Sequence, residues 1–219
     1  MIRICPSILN ANFDDLPGEI EKVASTADLI HLDVMDNVFV PNFTFSPERT
    51  REIIDFSTLP IDVHLMVAEV DEKVSQYSSK NAVSMTVHFE ACQDPLQTLK
   101  NIRSLGKRAG LAIKPDTPIE VVEELLPAID MIVVMTVEPG FGGQSFMASM
   151  MPKVEKARRY LDQRKLNDVW LQIDGGISLS TIETARRAGA DTFVAGSAVY
   201  KSENPGSMVE QLRTLANNC

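Results

Sequence analysis

The sequence is poor in cysteine, has no long apolar run and carries no surplus of positive charge. Its three cysteines, Cys5, Cys92 and Cys219, are scattered and never fall in a Cys-x-x-Cys spacing. An odd, dispersed set excludes a disulfide framework, makes a poor zinc-binding group and fits a reducing cytoplasm. No apolar stretch approaches the roughly 18 residues needed to cross a bilayer. The opening run Met1-Ile2-Arg3-Ile4-Cys5-Pro6-Ser7 lacks the apolar region and small-residue cleavage site of a signal peptide, and reads as a first strand. A net charge of -9 argues against nucleic acid or an anionic membrane as partner, because either is repelled at long range. It leaves an anionic small molecule open, since backbone N–H groups can hold a phosphate inside an acidic protein. Linkers, charge blocks and low-complexity segments are also missing.

What is present is an ordinary globular composition, 44% hydrophobic and 23% charged over 219 residues. That is enough apolar material for one sizeable core and a length near the short end for one (β/α)8 domain. Short runs rich in β-branched residues alternate with longer amphipathic ones. The strands fall at roughly residues 2–7, 28–35, 61–66, 84–88, 109–113, 130–136, 169–174 and 191–196. Between them lie helical patterns at Asp14–Ala24, Pro47–Asp55, Asp71–Ser79, Pro95–Leu105, Ile119–Leu126, Met150–Gln163, Leu179–Ala188 and Gly206–Ala216. Eight strand–helix units imply parallel pairing with right-handed crossovers. A closed barrel over residues 1–219 is the natural solution, and an open doubly wound sheet is the alternative that periodicity leaves standing.

In a (β/α)8 barrel the chemistry gathers at the C-terminal strand ends. Side chains alternate along a strand, so His31, Asp33 and Met35 share one face of the second strand, and His64 and Met66 one face of the third. The seventh strand ends in Asp174 before Gly175-Gly176. His31, Asp33, His64 and Asp174 therefore offer two imidazoles and two carboxylates, a set suited to one divalent metal ion of the zinc type. Taken singly, a strand histidine is more often a satisfied core group and a strand-end aspartate a helix cap. Four such groups facing one barrel mouth would be costly to bury unpaired.

Glycines follow three consecutive strands: Gly140-Phe141-Gly142-Gly143-Gln144, Gly175-Gly176, and Gly196 before Ser197. Glycine lets backbone N–H groups approach an anion, and the loops after strands seven and eight are a frequent phosphate position in this fold. Ser197-Ala198-Val199-Tyr200 could form the short helix that often accompanies it. Met35, Met66 and Met135 near the strand ends are core filler by default; clustered at the mouth they would make a polarizable, water-poor floor.

These segments resemble the ribulose-phosphate 3-epimerase family from end to end. The resemblance rests on Pro6-Ser7-Ile8-Leu9, His31-Leu32-Asp33-Val34-Met35-Asp36 with Val40-Pro41-Asn42, and Asp62-Val63-His64-Leu65-Met66. It continues through Val137-Glu138-Pro139-Gly140-Phe141-Gly142-Gly143-Gln144, Asp174-Gly175-Gly176, Ala190-Asp191 and Ala195-Gly196-Ser197. It implies a single TIM barrel of the ribulose-phosphate binding type. It implies a metal held by His31, Asp33, His64 and Asp174, zinc first with Fe2+, Mn2+ or Co2+ as alternatives, and Asp33 and Asp174 as the acid/base pair. Ser7 and His64 are then substrate contacts, with the phosphate on Gly140, Phe141, Gly142, Gly143, Gly175, Gly176, Gly196 and Ser197. His88 matches a family position near the substrate and ranks as secondary.

The activity so implied is interconversion of D-ribulose 5-phosphate and D-xylulose 5-phosphate, a step of the pentose phosphate pathway, in a cytoplasmic homo-oligomer. A 3-epimerase of a ketohexose 6-phosphate such as D-allulose 6-phosphate, or a non-catalytic phosphosugar-binding barrel, are the alternatives.

Overall fold

The β-branched runs become eight parallel strands in the computed structural model, which describes residues 1–219. They are β1 (Arg3–Pro6), β2 (Ile30–Met35), β3 (Ile61–Met66), β4 (Ala82–His88), β5 (Arg108–Ile113), β6 (Met131–Met135), β7 (Trp170–Asp174) and β8 (Thr192–Ala195). Their order is β1-β8-β7-β6-β5-β4-β3-β2, so chain neighbours are sheet neighbours all the way round. The two ends meet at a parallel bridge between Ser7 and His31. An open doubly wound sheet would reverse its strand order at a switch point; none occurs, and the fold is a TIM barrel.

Seven α-helices lie outside it: α1 (Leu16–Glu21), α2 (Pro47–Phe56), α3 (Pro95–Ser104), α4 (Met151–Gln163), α5 (Ile182–Arg187), α6 (Ser197–Tyr200) and α7 (Pro205–Asn217). Three of them begin with the same device. Ser46, Asp94 and Asn204 each accept a hydrogen bond from a first-turn N–H, and a proline follows at the first helical position. The side chain satisfies one orphan donor, and proline removes another while presetting φ.

Two expected helices do not form. Residues 71–79 instead make two 3-10 turns, Val70–Glu72 and Val74–Tyr77, neither with a capping side chain, entered through Glu69 at a φ of 52°. Residues 119–126 lie between Pro118 and Pro127 and also close as i→i+3 turns, such as Glu123 N–H to the Glu120 carbonyl. Without a cap, and with a proline blocking further growth, an α-helix cannot recover its nucleation cost. The helices expected over residues 14–24 and 179–188 are real but shorter, as α1 and α5.

Outward strand residues such as Leu32, Val34, Val63, Leu65 and Ile173 are fully buried against the helices and form the main core. Inward residues change character along the barrel axis. At the strand beginnings Trp170 is sandwiched between the Arg3 and Arg108 guanidinium groups, 4.0 and 4.2 Å from its ring centre, a cation–π plug. Above it lie Asp62, Ser84 and Gln172, all buried, and above those the polar strand ends of β2, β3 and β7.

Phe193 on β8 is among the largest fully buried side chains. Phe193→Ala should cost about 3–5 kcal/mol, from lost transfer energy plus the cavity left behind. Urea unfolding measures it, and a loss under about 1 kcal/mol, the ordinary range of a mild substitution, would contradict this account of the core.

Candidate active site

Strand register brings the polar residues together. β2 and β3 pair with His31 beside Asp62 and Asp33 beside His64, while Asp174 ends β7 on the far side of the β1–β8 junction. Donor atoms of His31, Asp33, His64 and Asp174 all lie within 4.8 Å of one another. His64 Nδ1 is 3.2 Å from Asp33 Oδ1 and 3.2 Å from Asp174 Oδ2. His31 Nε2 is 3.3 Å from Asp33 Oδ1 and 3.6 Å from Asp174 Oδ2. Both imidazoles are fully buried, with Asp33 nearly so and Asp174 half-buried at the mouth.

The two carboxylates carry like charge at short range, which only a positive group among them can offset. Burial pushes the His31 imidazole down, but the charge of Asp33 and hydrogen bonds to Asp174 and Asp62 outweigh it, and His31 is raised well above its ordinary value. Burial likewise opposes protonation of His64, and hydrogen bonds to Asp174 and Asp33 overcome it, holding His64 at about 8. The carboxyl of Asp33 resists burial through the charge of His31 and stays below its usual range. Asp174 is lowered too, burial being outweighed by hydrogen bonds from His31 and His64. A divalent cation fits this donor set: two nitrogens and two carboxylate oxygens converge on one point, the composition expected of a zinc-type site.

One imidazole has its outer nitrogen fixed by a carboxylate. His31 Nδ1 lies 2.8 Å from Asp62 Oδ2, and Asp62 also accepts from Ser84 Oγ at 2.6 Å and Gln172 Nε2 at 2.9 Å. A carboxylate so satisfied stays ionised in spite of its burial, so it holds the proton on Nδ1, and the proton that His31 gives up to a cation comes from Nε2, the nitrogen facing the cluster.

Above the cluster opens a pocket at the barrel mouth. Ser7, Asp33, Met35, Met66, Met135 and Asp174 line its floor, and Gly140, Phe141, Gly142, Gly143, Gly175, Gly176, Gly196 and Ser197 its far wall. No lysine or arginine lines it, so an anion there would be held by backbone N–H groups. Two glycines are required by the close approach of chains. A Cβ on Gly175 would stand 2.5 Å from Val137, and one on Gly176 2.5 Å from the Phe146 backbone, both at positive φ. Ser197–Tyr200 does form a short helix, capped by Gly196.

Some expected residues sit otherwise than a direct contact would place them. His64 is fully buried beneath the floor and does not line the pocket. His88 is buried behind it, with His88 Nε2 3.0 Å from His64 Nε2. Burial, helped by the charge of His64, pushes His88 down to about 4. Ser7 lines the pocket but donates its hydroxyl to Asp33 Oδ2 at 2.6 Å.

Three further residues were not singled out from sequence. Asp62 looked like one more alternating strand position, although its neighbour in register, His31, was the signal. Asn10 reaches both phosphate-side loops, since a Cβ on Gly142 would meet its Nδ2 at 2.7 Å and one on Gly196 its Oδ1 at 2.5 Å. Asn42 donates from Nδ2 to the Gly140 carbonyl at 2.9 Å and braces that loop.

Comparison with known proteins gives consistent results. The ribulose-phosphate 3 epimerase family matches residues 3–200. The ribulose-phosphate 3-epimerase of Bacillus subtilis is 39% identical over 214 residues, covering 97% of this chain and 99% of that protein. That of Mycobacterium leprae is 42% identical over 213 residues, covering 97% and 94%. Among solved structures, KGPDC from Streptococcus mutans superposes with a TM-score of 0.74 at 13% identity, over 100% of this chain and 98% of that one; this is a likeness of fold.

The raised imidazoles give the site a pH dependence. His31 and His64 must each surrender a proton to accept a cation, and a value raised to about 8 means that protons compete below that pH. Zinc affinity, measured by competition with a chelator, should rise as pH climbs through about 8, with His31, also raised, adding to the rise. An affinity independent of pH from about 6 to 9 would contradict the assignment of these imidazoles as ligands.

Proposed function

The chain belongs to the ribulose-phosphate 3-epimerase family, and on that premise we propose that it interconverts D-ribulose 5-phosphate and D-xylulose 5-phosphate by moving a proton at C3. The observation that carries the reading is the pair of carboxylates, Asp33 and Asp174, held beside two imidazoles on the floor of a pocket whose wall is glycine backbone.

The C3 hydrogen of a 2-ketose is acidified by the C2 carbonyl. Its removal leaves negative charge on the oxygens at C2 and C3, and inversion requires a base on one face and an acid on the other. Asp33 from β2 and Asp174 from β7 approach the pocket from opposite sides of the β1–β8 junction, which suits them to the two faces of a sugar lying between. Their environments differ. Ser7 adds a hydrogen bond to Asp33 Oδ2 that stabilises its charge, while the charge of Asp33 works against ionisation of Asp174. The Ser7 hydroxyl on Asp33 thus sets the two carboxylates in different environments, the kind of difference that divides acid from base.

His31, Asp33, His64 and Asp174 would hold a divalent cation, zinc first by donor type with Fe2+, Mn2+ or Co2+ as alternatives. Bound there it would supply positive charge to the developing oxyanions. Met35, Met66 and Met135 keep water from the reacting face. The N–H groups around Gly142, Gly143, Gly176 and Gly196 take the phosphate, with Ser197 at the start of α6. The three free cysteines suit a reducing cytoplasm, and exposed Val38 and Phe43 on the β2–α2 loop suit burial in a homo-oligomer.

A single base that removed and returned one proton would give the product its original hydrogen, whereas the opposed acid draws its proton from solvent. In heavy water, the first epimerised product should carry deuterium at C3 while recovered substrate carries little, as read by proton NMR. Early product that keeps the substrate hydrogen would rule out the Asp33/Asp174 pair. Turnover of a six-carbon ketose phosphate faster than of the pentose would shift the substrate assignment.

A further inference from the structure

We infer that Glu90, acting through His88, sets which nitrogen of His64 carries its hydrogen, and so leaves the Nδ1 lone pair free to face the metal-ligating cluster. The inference rests on the metal reading above and concerns residues outside the ligand set. The chain of contacts starts at the surface. Glu90, its side chain 21% exposed, accepts at Oε1 from the Lys114 backbone N–H at 2.8 Å and from the Thr117 hydroxyl. Its other oxygen, Oε2, lies 3.3 Å from His88 Nδ1. His88 is fully buried, with the Phe39 ring packed on it at a centroid distance of 5.0 Å. Its Nε2 meets His64 Nε2 at 3.0 Å. His64 Nδ1 then faces Asp33 and Asp174.

Hydrogen-bond polarity propagates along this chain without alternatives at its outer end. A carboxylate oxygen can only accept, so His88 Nδ1 carries the hydrogen. A neutral His88 then has a bare Nε2, which must accept, so His64 Nε2 must donate. The lone pair that His64 can offer a cation is therefore on Nδ1, the nitrogen directed at the cluster. His31 gets the same service from Asp62 directly; His64 gets it from Glu90 through one intervening ring. Glu90 and His88 are thus positioning residues, and neither lines the pocket.

The variant Glu90→Gln reverses the chain. Its amide oxygen must still accept from Lys114 N–H and Thr117, which turns the amide NH2 toward His88 Nδ1. His88 then carries its hydrogen on Nε2, His64 must accept there, and an N–H points from His64 Nδ1 into the cluster. Zinc affinity, measured by competition with a chromophoric chelator, should fall about 10- to 100-fold, the usual cost of losing an outer partner of a ligand. The control Thr117→Val removes one donor to Glu90 but leaves the carboxylate, and should stay within about twofold of the unaltered protein.

A second readout needs no variant. Nitrogen-15 spectra of the histidine rings in the zinc-loaded protein should place hydrogens on His88 Nδ1 and His64 Nε2. A Glu90→Gln protein that binds zinc as the unaltered protein does, or a hydrogen found on His88 Nε2, would overturn this inference alone. Failure of the unaltered protein to take up zinc would instead overturn the metal reading on which it stands.

Discussion

Two carboxylates a few ångströms apart, one buried and one half-buried, repel one another, and this molecule tolerates Asp33 and Asp174 in that position only because His31 and His64 stand between them. Much of the barrel can be read as a consequence. The β2–β3 register must place Asp33 beside His64 and His31 beside Asp62, because a slip by one residue would turn every inward group outward. Asp62 is itself a buried charge, held ionised by His31, Ser84 and Gln172, so four strands are committed to a layer that is never exposed. Removing Asp62 would strip His31 Nδ1, Ser84 Oγ and Gln172 Nε2 of the carboxylate they share, which costs more than the missing bonds contributed.

The phosphate end obeys a different constraint. A protein of net charge -9 does not attract a sugar phosphate at long range, and no basic side chain lines the pocket. Attraction is left to N–H dipoles that act over short distances, which requires backbone free of side chains. Hence the glycines after β6, β7 and β8, with Asn10 packed against Gly142 and Gly196 and Asn42 bonded to the Gly140 carbonyl. On the proposed reading, the His/Asp group on rigid strands would take the reacting end of the substrate and the amides of the glycine loops its phosphate.

Most of the barrel and the positions of the ligand set were legible in the sequence because they follow from alternation. β-branched runs mark strands, and polar residues at every second position mark the inward face. The two 3-10 segments after β3 and β5 were misread as α-helices because their hydrophobic spacing is helical, while the lack of a cap near Val70 and the prolines at 118 and 127 decide the outcome locally. Asp62, Asn10 and Glu90 were missed for another reason. Each acts on a group from a different strand or loop, and sequence separation hides such pairs: Glu90 meets Lys114 and Thr117 across 24 and 27 positions. The same distance hides that His88, a secondary site position by family resemblance, has His64 as its neighbour.

The claim on which all of this turns is that the four groups hold one divalent cation between them. Native mass spectrometry of the purified protein tests it most directly, since it weighs the folded chain with whatever ion it retains. The account predicts about one divalent ion per chain, and none in a His31→Ala/His64→Ala double variant shown by circular dichroism to remain folded. An unaltered protein that is metal-free after exposure to zinc, or a double variant that keeps its ion, would contradict it.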